Sequence, residues 1–304
     1  MSGRQDGNAM YGLDEIVARL EALIGQPHVS EEYIRFRIDL LKAQWAVRQA
    51  LAGSPTPEAA RPASSGEAGP AKPLLGPDTV LFDPRLLRGL FSALRDSAAE
   101  RGRQTDDLWR LCAAVDRDPA LLQALAGTAA FGPDMEALEQ QARVLRLSVD
   151  VLLFVGRALA APFVAEAARR VATTRSGGSI PQETGGRCGI CSSLPSFAQL
   201  RREDGRRILH CGLCGTTWEF TRLACPWCET ADREALNVLR LSEGDPRWIE
   251  TCESCRGYIK TVDERKLPAG ETIIPVVEES ATLHLDLLAE REGYIRRIPY
   301  VLSG

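Results

Sequence analysis

Histidine is scarce in this chain: its 304 residues include three, His28, His210 and His284. The side chain that most often moves protons near neutral pH is therefore almost missing, which leaves little material for general acid–base catalysis. No Gly-rich phosphate loop and no G-x-S-x-G nucleophile turn is present either, so the sequence reads as a non-enzyme. Charge of one sign is also lacking. Lys and Arg number 37 against 41 Asp and Glu, a formal net charge of −4, and no basic excess draws a phosphate backbone. The longest apolar stretch, Val149 to Ala168, is interrupted by Asp150, Arg157 and Glu166, so no unbroken run reaches the length of a bilayer span. Met1 to Leu13 lacks the apolar core of an export signal. These absences predict a cytoplasmic chain without membrane insertion. Hydrophobic content of 44% and charged content of 26% are ordinary for a protein with a real core, and the length suggests two domains or three.

Cysteine is what the chain does have. Eight of its nine cysteines form four Cys-x-x-Cys pairs in the C-terminal third: Cys188–Cys191, Cys211–Cys214, Cys225–Cys228 and Cys252–Cys255. Such a turn can aim both sulfurs at one ion, and two turns complete a tetrahedral thiolate site. The loops between successive pairs hold 19, 10 and 23 residues. The outer two suit a ribbon hairpin, which predicts two sequential four-cysteine sites. A cross-braced pairing, first with third and second with fourth, is the competing arrangement. A disulfide framework is typical of short secreted chains, not of this one. A thioredoxin-like site at Cys225-Pro226-Trp227-Cys228 would need a single pair opening a helix after a strand. Cys112 stands alone in a helical stretch and reads as small core filler.

From Leu13 to Arg175 the pattern is helical. Leu13, Ile16, Val17, Leu20, Leu23 and Ile24 recur at three- and four-residue steps, and a second helix starts after Ser30, a capping residue, with Ile34, Ile38, Leu41, Trp45 and Gln49 as its stripe. Residues 53–77, rich in Pro, Ala, Gly and Ser, read as a flexible loop. Further helices are predicted over 83–102, 106–116, 119–125 and 133–172, the last kinked or divided at Pro162. Residues 176–186 form the linker. Beyond it, Arg207–His210 and Thr217–Thr221 alternate like strands, and Leu283 to Gly293 reads as a terminal helix stopped by glycine. The predicted fold class is α+β: an all-α N-terminal domain (1–175), then two rubredoxin-like or zinc-ribbon β modules, 187–223 and 224–304, the second ending in the helix.

Both modules set glycine and then an aromatic just past the second thiolate pair, Cys214-Gly215 before Trp218 and Cys255-Arg256-Gly257 before Tyr258. Glycine there lets the backbone turn tightly toward the sulfurs. The aromatic covers the site from water or serves as a core strand residue. A closed four-thiolate site keeps no coordination position open, so it does not activate water. With zinc it is structural; with iron it becomes a rubredoxin-like centre that passes one electron, and the ligand list leaves both metals open. His210 precedes Cys211 but reads as a strand residue rather than a ligand. Arg201, Arg202, Arg206 and Arg207 flank Asp204-Gly205 and read as a solvated hairpin tip. From Arg187 onward 16 basic residues face 18 acidic ones. Each divalent ion on four thiolates adds −2, which leaves no basic face for nucleic acid.

The run Cys188-x-x-Cys191-Ser192-Ser193-Leu194-Pro195, then Leu209-His210-Cys211-x-x-Cys214-x-x-x-Trp218, Arg222-x-x-Cys225-x-x-Cys228 and Glu250-x-Cys252-x-x-Cys255-x-x-Tyr258-Ile259-Lys260 resembles the FdhE family of formate dehydrogenase accessory proteins. Leu285-Asp286, Glu292-Gly293-Tyr294 and the early Tyr33-x-x-Phe36 to Ala43-Gln44 are similar to it too. The resemblance implies a maturation factor that binds the catalytic subunit of a respiratory formate dehydrogenase in the cytoplasm. It also implies iron rather than zinc in two rubredoxin-type sites. Cys188, Cys191, Cys211 and Cys214 would hold one ion, Cys225, Cys228, Cys252 and Cys255 the other. The alternative is a zinc-ribbon module associated with nucleic acid or transcription. A redox donor to a client subunit is compatible with the first reading. Self-association stays open.

Overall fold

The computed structural model describes residues 11–54, 73–101, 106–131, 134–174 and 185–298. Most of the loop expected at 53–77 and of the linker expected at 176–186 lies outside them. Seven helices come first in the described residues: α1 (Leu13–Glu21), α2 (Glu31–Ala52), α3 (Pro84–Glu100), α4 (Asp106–Arg117), α5 (Leu121–Ala130), α6 (Met135–Leu145) and α7 (Val149–Thr174). Strands follow as β1 (Pro195–Leu200), β2 (Arg207–Cys211), β3 (Thr217–Phe220), β4 (Leu236–Leu239), β5 (Arg247–Cys252) and β6 (Tyr258–Asp263), then α8 (Pro275–Ala281) and α9 (Leu283–Arg291). This is the α+β class expected from the sequence. The chain forms two compact units, Met1–Ile34 with Ser179–Gly189 and Leu194–Ile298 in one, Arg35–Gly178 with Ile190–Ser193 and Pro299–Gly304 in the other.

In the helical unit, α7 packs against α3, α5 and α6. By length and composition Val149–Thr173 could cross a membrane, yet 72% of its most apolar window is buried inside the protein. Gly156 is what lets α5 and α7 approach: a Cβ there would stand 2.6 Å from both the Ala129 Cβ and the Leu125 carbonyl oxygen. On α2, Ser30 accepts from the Tyr33 backbone N–H at 3.3 Å, the expected cap. Its buried face is wider than the predicted stripe. Ile34 and Ile38 are buried, and so are Phe36, Leu40 and Val47, while Leu41 and Trp45 are half-buried and Gln49 is exposed.

The helix expected over 133–172 is divided elsewhere than at Pro162. The break falls at Arg146, which adopts φ 55° and closes α6, with the Leu147 N–H donating back to the Ala142 carbonyl at 2.9 Å. Pro162 instead lies inside an uninterrupted α7. A proline has no N–H for the carbonyl four residues earlier, here that of Ala158. The Gln44 side chain supplies the missing donor, its Nε2 standing 2.8 Å from that oxygen. Replacing Gln44 with leucine should therefore cost the helical unit about 1–3 kcal/mol, the penalty of an orphaned buried acceptor. In a Pro162→Ala background the same replacement should cost much less, because the helix recovers its own N–H. A urea-unfolding double-mutant cycle reads this directly; equal costs in the two backgrounds would remove the assignment.

In the other unit, each group of three strands is an antiparallel meander, β1-β2-β3 and β4-β5-β6. Parallel pairing of β1 with β6, Phe197 opposite Lys260, joins them into one six-stranded sheet among the described residues, in the order β3-β2-β1-β6-β5-β4. The two modules read from the sequence thus share a sheet. One of its faces carries α9 through Ile249, Tyr258, Leu285, Ala289 and Tyr294. α1 packs on α8, and Arg19 donates to the Thr272 carbonyl at 3.1 Å.

Candidate metal centres

Each meander puts a Cys-x-x-Cys turn ahead of its first strand and a second turn at the end of its middle strand. The hairpin between them, β1-β2 or β4-β5, folds the two turns together. The sulfurs of Cys188, Cys191, Cys211 and Cys214 lie within 4.8 Å of one another, and so do those of Cys225, Cys228, Cys252 and Cys255. Adjacent sulfurs stand 3.6 Å apart at Cys188–Cys214 and 3.7 Å apart at Cys225–Cys255 and Cys228–Cys252. A disulfide would bring them to about 2.0 Å. Four sulfurs about 2.3 Å from a central ion span edges of about 3.8 Å, so the donor set fits a tetrahedral metal.

The backbone supports that arrangement. The N–H groups of Leu213 and Cys214 point at the Cys211 sulfur from 3.4 and 3.5 Å, and the Trp227 N–H points at the Cys225 sulfur from 3.4 Å. Three of the turns close the same way: the N–H of Cys211 donates to Thr216, that of Cys225 to Thr230 and that of Cys252 to Gly257, at 2.9, 2.9 and 3.0 Å. All four turns place the residue after their second cysteine in the left-handed region: Ser192 at φ 59°, Gly215 at 75°, Glu229 at 60° and Arg256 at 55°. Only Gly215 is a glycine, so the sequence reasoning found one of four such positions. Gly257 has a different task from the one expected. A Cβ there would meet the Trp227 ring at 2.6 Å and the Cys255 sulfur at 3.2 Å, so it makes room for the indole.

The thiols of the second group sit in unequal settings. Burial pushes the Cys225 thiol far up and raises that of Cys255. For Cys252, burial is outweighed by the N–H of Cys255 and the neighbouring Cys228, and its thiol is held below the ordinary range. Gathered thiolates of this kind need a positive centre.

The two groups differ in access. All four sulfur-bearing residues of the first are buried, whereas Cys228 is exposed and Cys255 half-buried in the second. They are also connected. A Cβ on Gly186 would fall 1.8 Å from the Pro226 carbonyl oxygen, and the Gly186 N–H donates to Glu229 at 2.9 Å. The Trp218 indole N–H donates to the Gly185 carbonyl at 3.3 Å. The segment ahead of the first group is thus laid against the Cys225–Cys228 turn.

His210 is buried in β2, 2.8 Å from Gln199 through Nε2 and edge-on to Phe197, outside both sulfur groups. Burial lowers it to about 4. Cys112 is half-buried in α4 and joins neither group. Three of the four arginines lie at the exposed or half-exposed hairpin tip, as expected, and have polar partners there. Arg201 pairs with Asp204, Arg206 with Asp204 and Glu219, and Arg202 donates to the carbonyls of Leu267, Pro268 and Glu271. Arg207 is a correction: it is 1% exposed, paired with Glu250 at 2.7 Å and bonded to the Ala224 carbonyl, because its strand register turns it inward.

Several remaining motif residues meet behind the second group. Tyr258 is a core residue, its hydroxyl donating to Asp286 at 2.9 Å. Buried Lys260 donates to Asp286 at 2.8 Å and to the Glu279 carbonyl at 2.9 Å. Arg296 pairs with both Asp286 and Glu279. Glu253, inside the Cys252–Cys255 turn, is bonded by Tyr294 and Arg256. This polar network fastens α9 to the strands that carry the second turn.

With this geometry established, the fold and its sulfurs define a class: a helical protein with a C-terminal sheet bearing two four-cysteine groups that could hold two metal ions. Known proteins narrow it. Residues 223–302 match the family model described as FdhE, C-terminal domain. A 112-residue stretch is 36% identical to the Protein FdhE homolog of Aquifex aeolicus, covering 36% of this chain and 38% of that relative. A 122-residue stretch is 35% identical to Protein FdhE of Escherichia coli O1:K1 / APEC, covering 38% of each. These alignments span little more than a third of the relatives' length. The crystal structure of the FdhE protein from Pseudomonas aeruginosa has the same fold, with a TM-score of 0.55 over 95% of both chains at 22% identity. The similarity to FdhE proteins thus lies in the cysteine-bearing C-terminal part, the region whose motifs carry the resemblance, and the solved structure shares the fold.

Two expected outcomes follow from the site. An ion at the second group should leave first on chelation, because Cys228 opens to solvent. Metal release to a chromophoric chelator should be biphasic, with Cys228 the first cysteine alkylated by mass spectrometry; a single phase for both ions contradicts the asymmetry. The second concerns Lys260. Burial lowers its pKa to about 8, against the attraction of Asp286, while the unfolded chain holds that proton to the ordinary lysine range of about 10.4. The unfolded state therefore binds more protons between the two values, and the contribution of Lys260 to stability rises as pH climbs from about 8 toward 10. Urea unfolding of the wild type should show that rise relative to Lys260→Met. Parallel pH profiles for the two proteins would refute it.

Proposed function

We propose that this chain is an accessory protein for the maturation of a respiratory formate dehydrogenase. It acts in the cytoplasm by binding the catalytic subunit and performs no formate chemistry itself. The observation that carries the reading is the pair of four-sulfur groups on one sheet, in a chain whose C-terminal residues match the FdhE domain. Cys188, Cys191, Cys211 and Cys214 would hold one ion, and Cys225, Cys228, Cys252 and Cys255 the other. Such centres have no open coordination position. Iron is the metal favoured by the resemblance, and it would supply one-electron chemistry at a fixed site, whereas zinc would serve the fold alone. The protein's own residues surround these centres with backbone N–H groups and keep one of them near solvent. Arginines at the β1-β2 turn are occupied by acidic and carbonyl partners, which supports a protein client over a phosphate backbone.

Protein purified without oxygen should contain two ions per chain, with iron–thiolate absorption if the metal is iron. A pull-down from cells making the dehydrogenase should recover its catalytic subunit, and the isolated chain should not oxidise formate. Tight, salt-sensitive binding of DNA or RNA with no subunit recovered would overturn the reading.

A further inference from the structure

β4 is an outer strand of the sheet and pairs with β5 alone among the described residues. Leu236 lies opposite Cys252 and Val238 opposite Glu250, so these side chains share a face with Trp248. The opposite face is the one that α9 covers through Ile249 and Tyr258. On the first face, the segment from Arg222 to Trp227 encloses a cavity of about 200 Å³ that reaches Cys225 and Cys252 of the second sulfur group. Its lip is apolar and exposed, with Leu223 at 51% and Val238 at 49%. Its cations are unbalanced. The Arg240 guanidinium lies 4.1 Å over the Trp248 ring, with the Lys266 ammonium 5.9 Å from the same ring. Arg222 has no acidic partner among the described residues, and the one carboxylate in the lining, Glu250, is taken by Arg207 at 2.7 Å. The indole N–H groups of Trp227 and Trp248 have no hydrogen-bond partner among the described residues.

We propose that this face docks an extended acidic segment of a partner protein, which adds to β4 as a further strand and seats one apolar side chain in the cavity. The inference rests on the reading that the chain works by binding a client protein. An outer strand offers main-chain donors and acceptors, and the side chains of an added strand alternate between pocket and solvent. The cavity is smaller than the roughly 300–1,000 Å³ of small-molecule sites and suits a single side chain. Carboxylates on the segment would meet Arg222 and Arg240, which line the cavity. A nucleic-acid strand fits less well. Trp248 is 4% exposed and gives no open ring for base stacking.

The test is fluorescence anisotropy on the full, metal-loaded chain. The probes are the labelled catalytic subunit of a formate dehydrogenase, a labelled peptide alternating Glu with Leu and Phe, its Lys-for-Glu counterpart, and single-stranded oligo(dT). The variants are the double replacement Arg222→Glu with Arg240→Glu, and Arg206→Glu at the distant β1-β2 turn. Circular dichroism and metal content verify that each is folded. The subunit and the acidic peptide should bind the wild type and the Arg206 variant alike, and the double variant about tenfold or more weakly; the basic peptide should not compete. If the subunit binds the double variant as well as the wild type, this face is not the docking site, while the accessory function stands. If the subunit does not bind but the acidic peptide does, and the double variant loses it, the docking inference holds and the proposed client is wrong. Failure of both to bind the wild type, or oligo(dT) binding that the double variant abolishes, overturns the inference.

Discussion

Four thiols held within 4.8 Å of one another, twice over, are the constraint on which the sheet depends. Bringing so many sulfurs together in a largely buried setting is unfavourable until an ion neutralises their charge. Such an ion contributes on the order of 10 kcal/mol to a small domain, more than short strands can supply through their own burial. Strand lengths of four to six residues and the turns with left-handed Ser192, Glu229 and Arg256 make sense on those terms. Non-glycine residues at positive φ are costly, and the closed sulfur cage is what holds them there.

The two groups are alike in construction and unlike in setting. The first is sealed. The second opens to solvent at Cys228 and borders a cavity with free cations, and α9 is bolted behind it through Lys260 and Asp286, with Tyr294 beyond the helix held by Glu253. Contact of Gly186 with Pro226 and Glu229 means that distortion of the second turn is felt by the segment entering the first. A centre exposed on one side and anchored on the other is suited to meeting a partner without losing its shape.

What the sequence disclosed was mostly local. Cys-x-x-Cys spacing, the Ser30 cap and the glycine after α9 are settled within a few residues, so they could be read directly. The parallel pairing of β1 with β6 joins residues about 60 apart, and no local pattern announces it. Pro162 was misread as a breaker because its remedy, Gln44, lies more than a hundred residues earlier. Arg207 was misread as solvated because its neighbours on the hairpin tip are; only the register that turns it toward Glu250 decides otherwise. Gly257 was assigned a backbone role that belongs to Arg256, since the Trp227 ring that requires the glycine belongs to a different turn.

The most direct test of dependence on the sulfur groups is hydrogen exchange with mass spectrometry, before and after both ions are removed by a chelator under reducing conditions. Amides of residues 195–263 should lose protection on metal removal, while those of α3 to α7 keep theirs. A sheet that stays protected without metal would contradict the account.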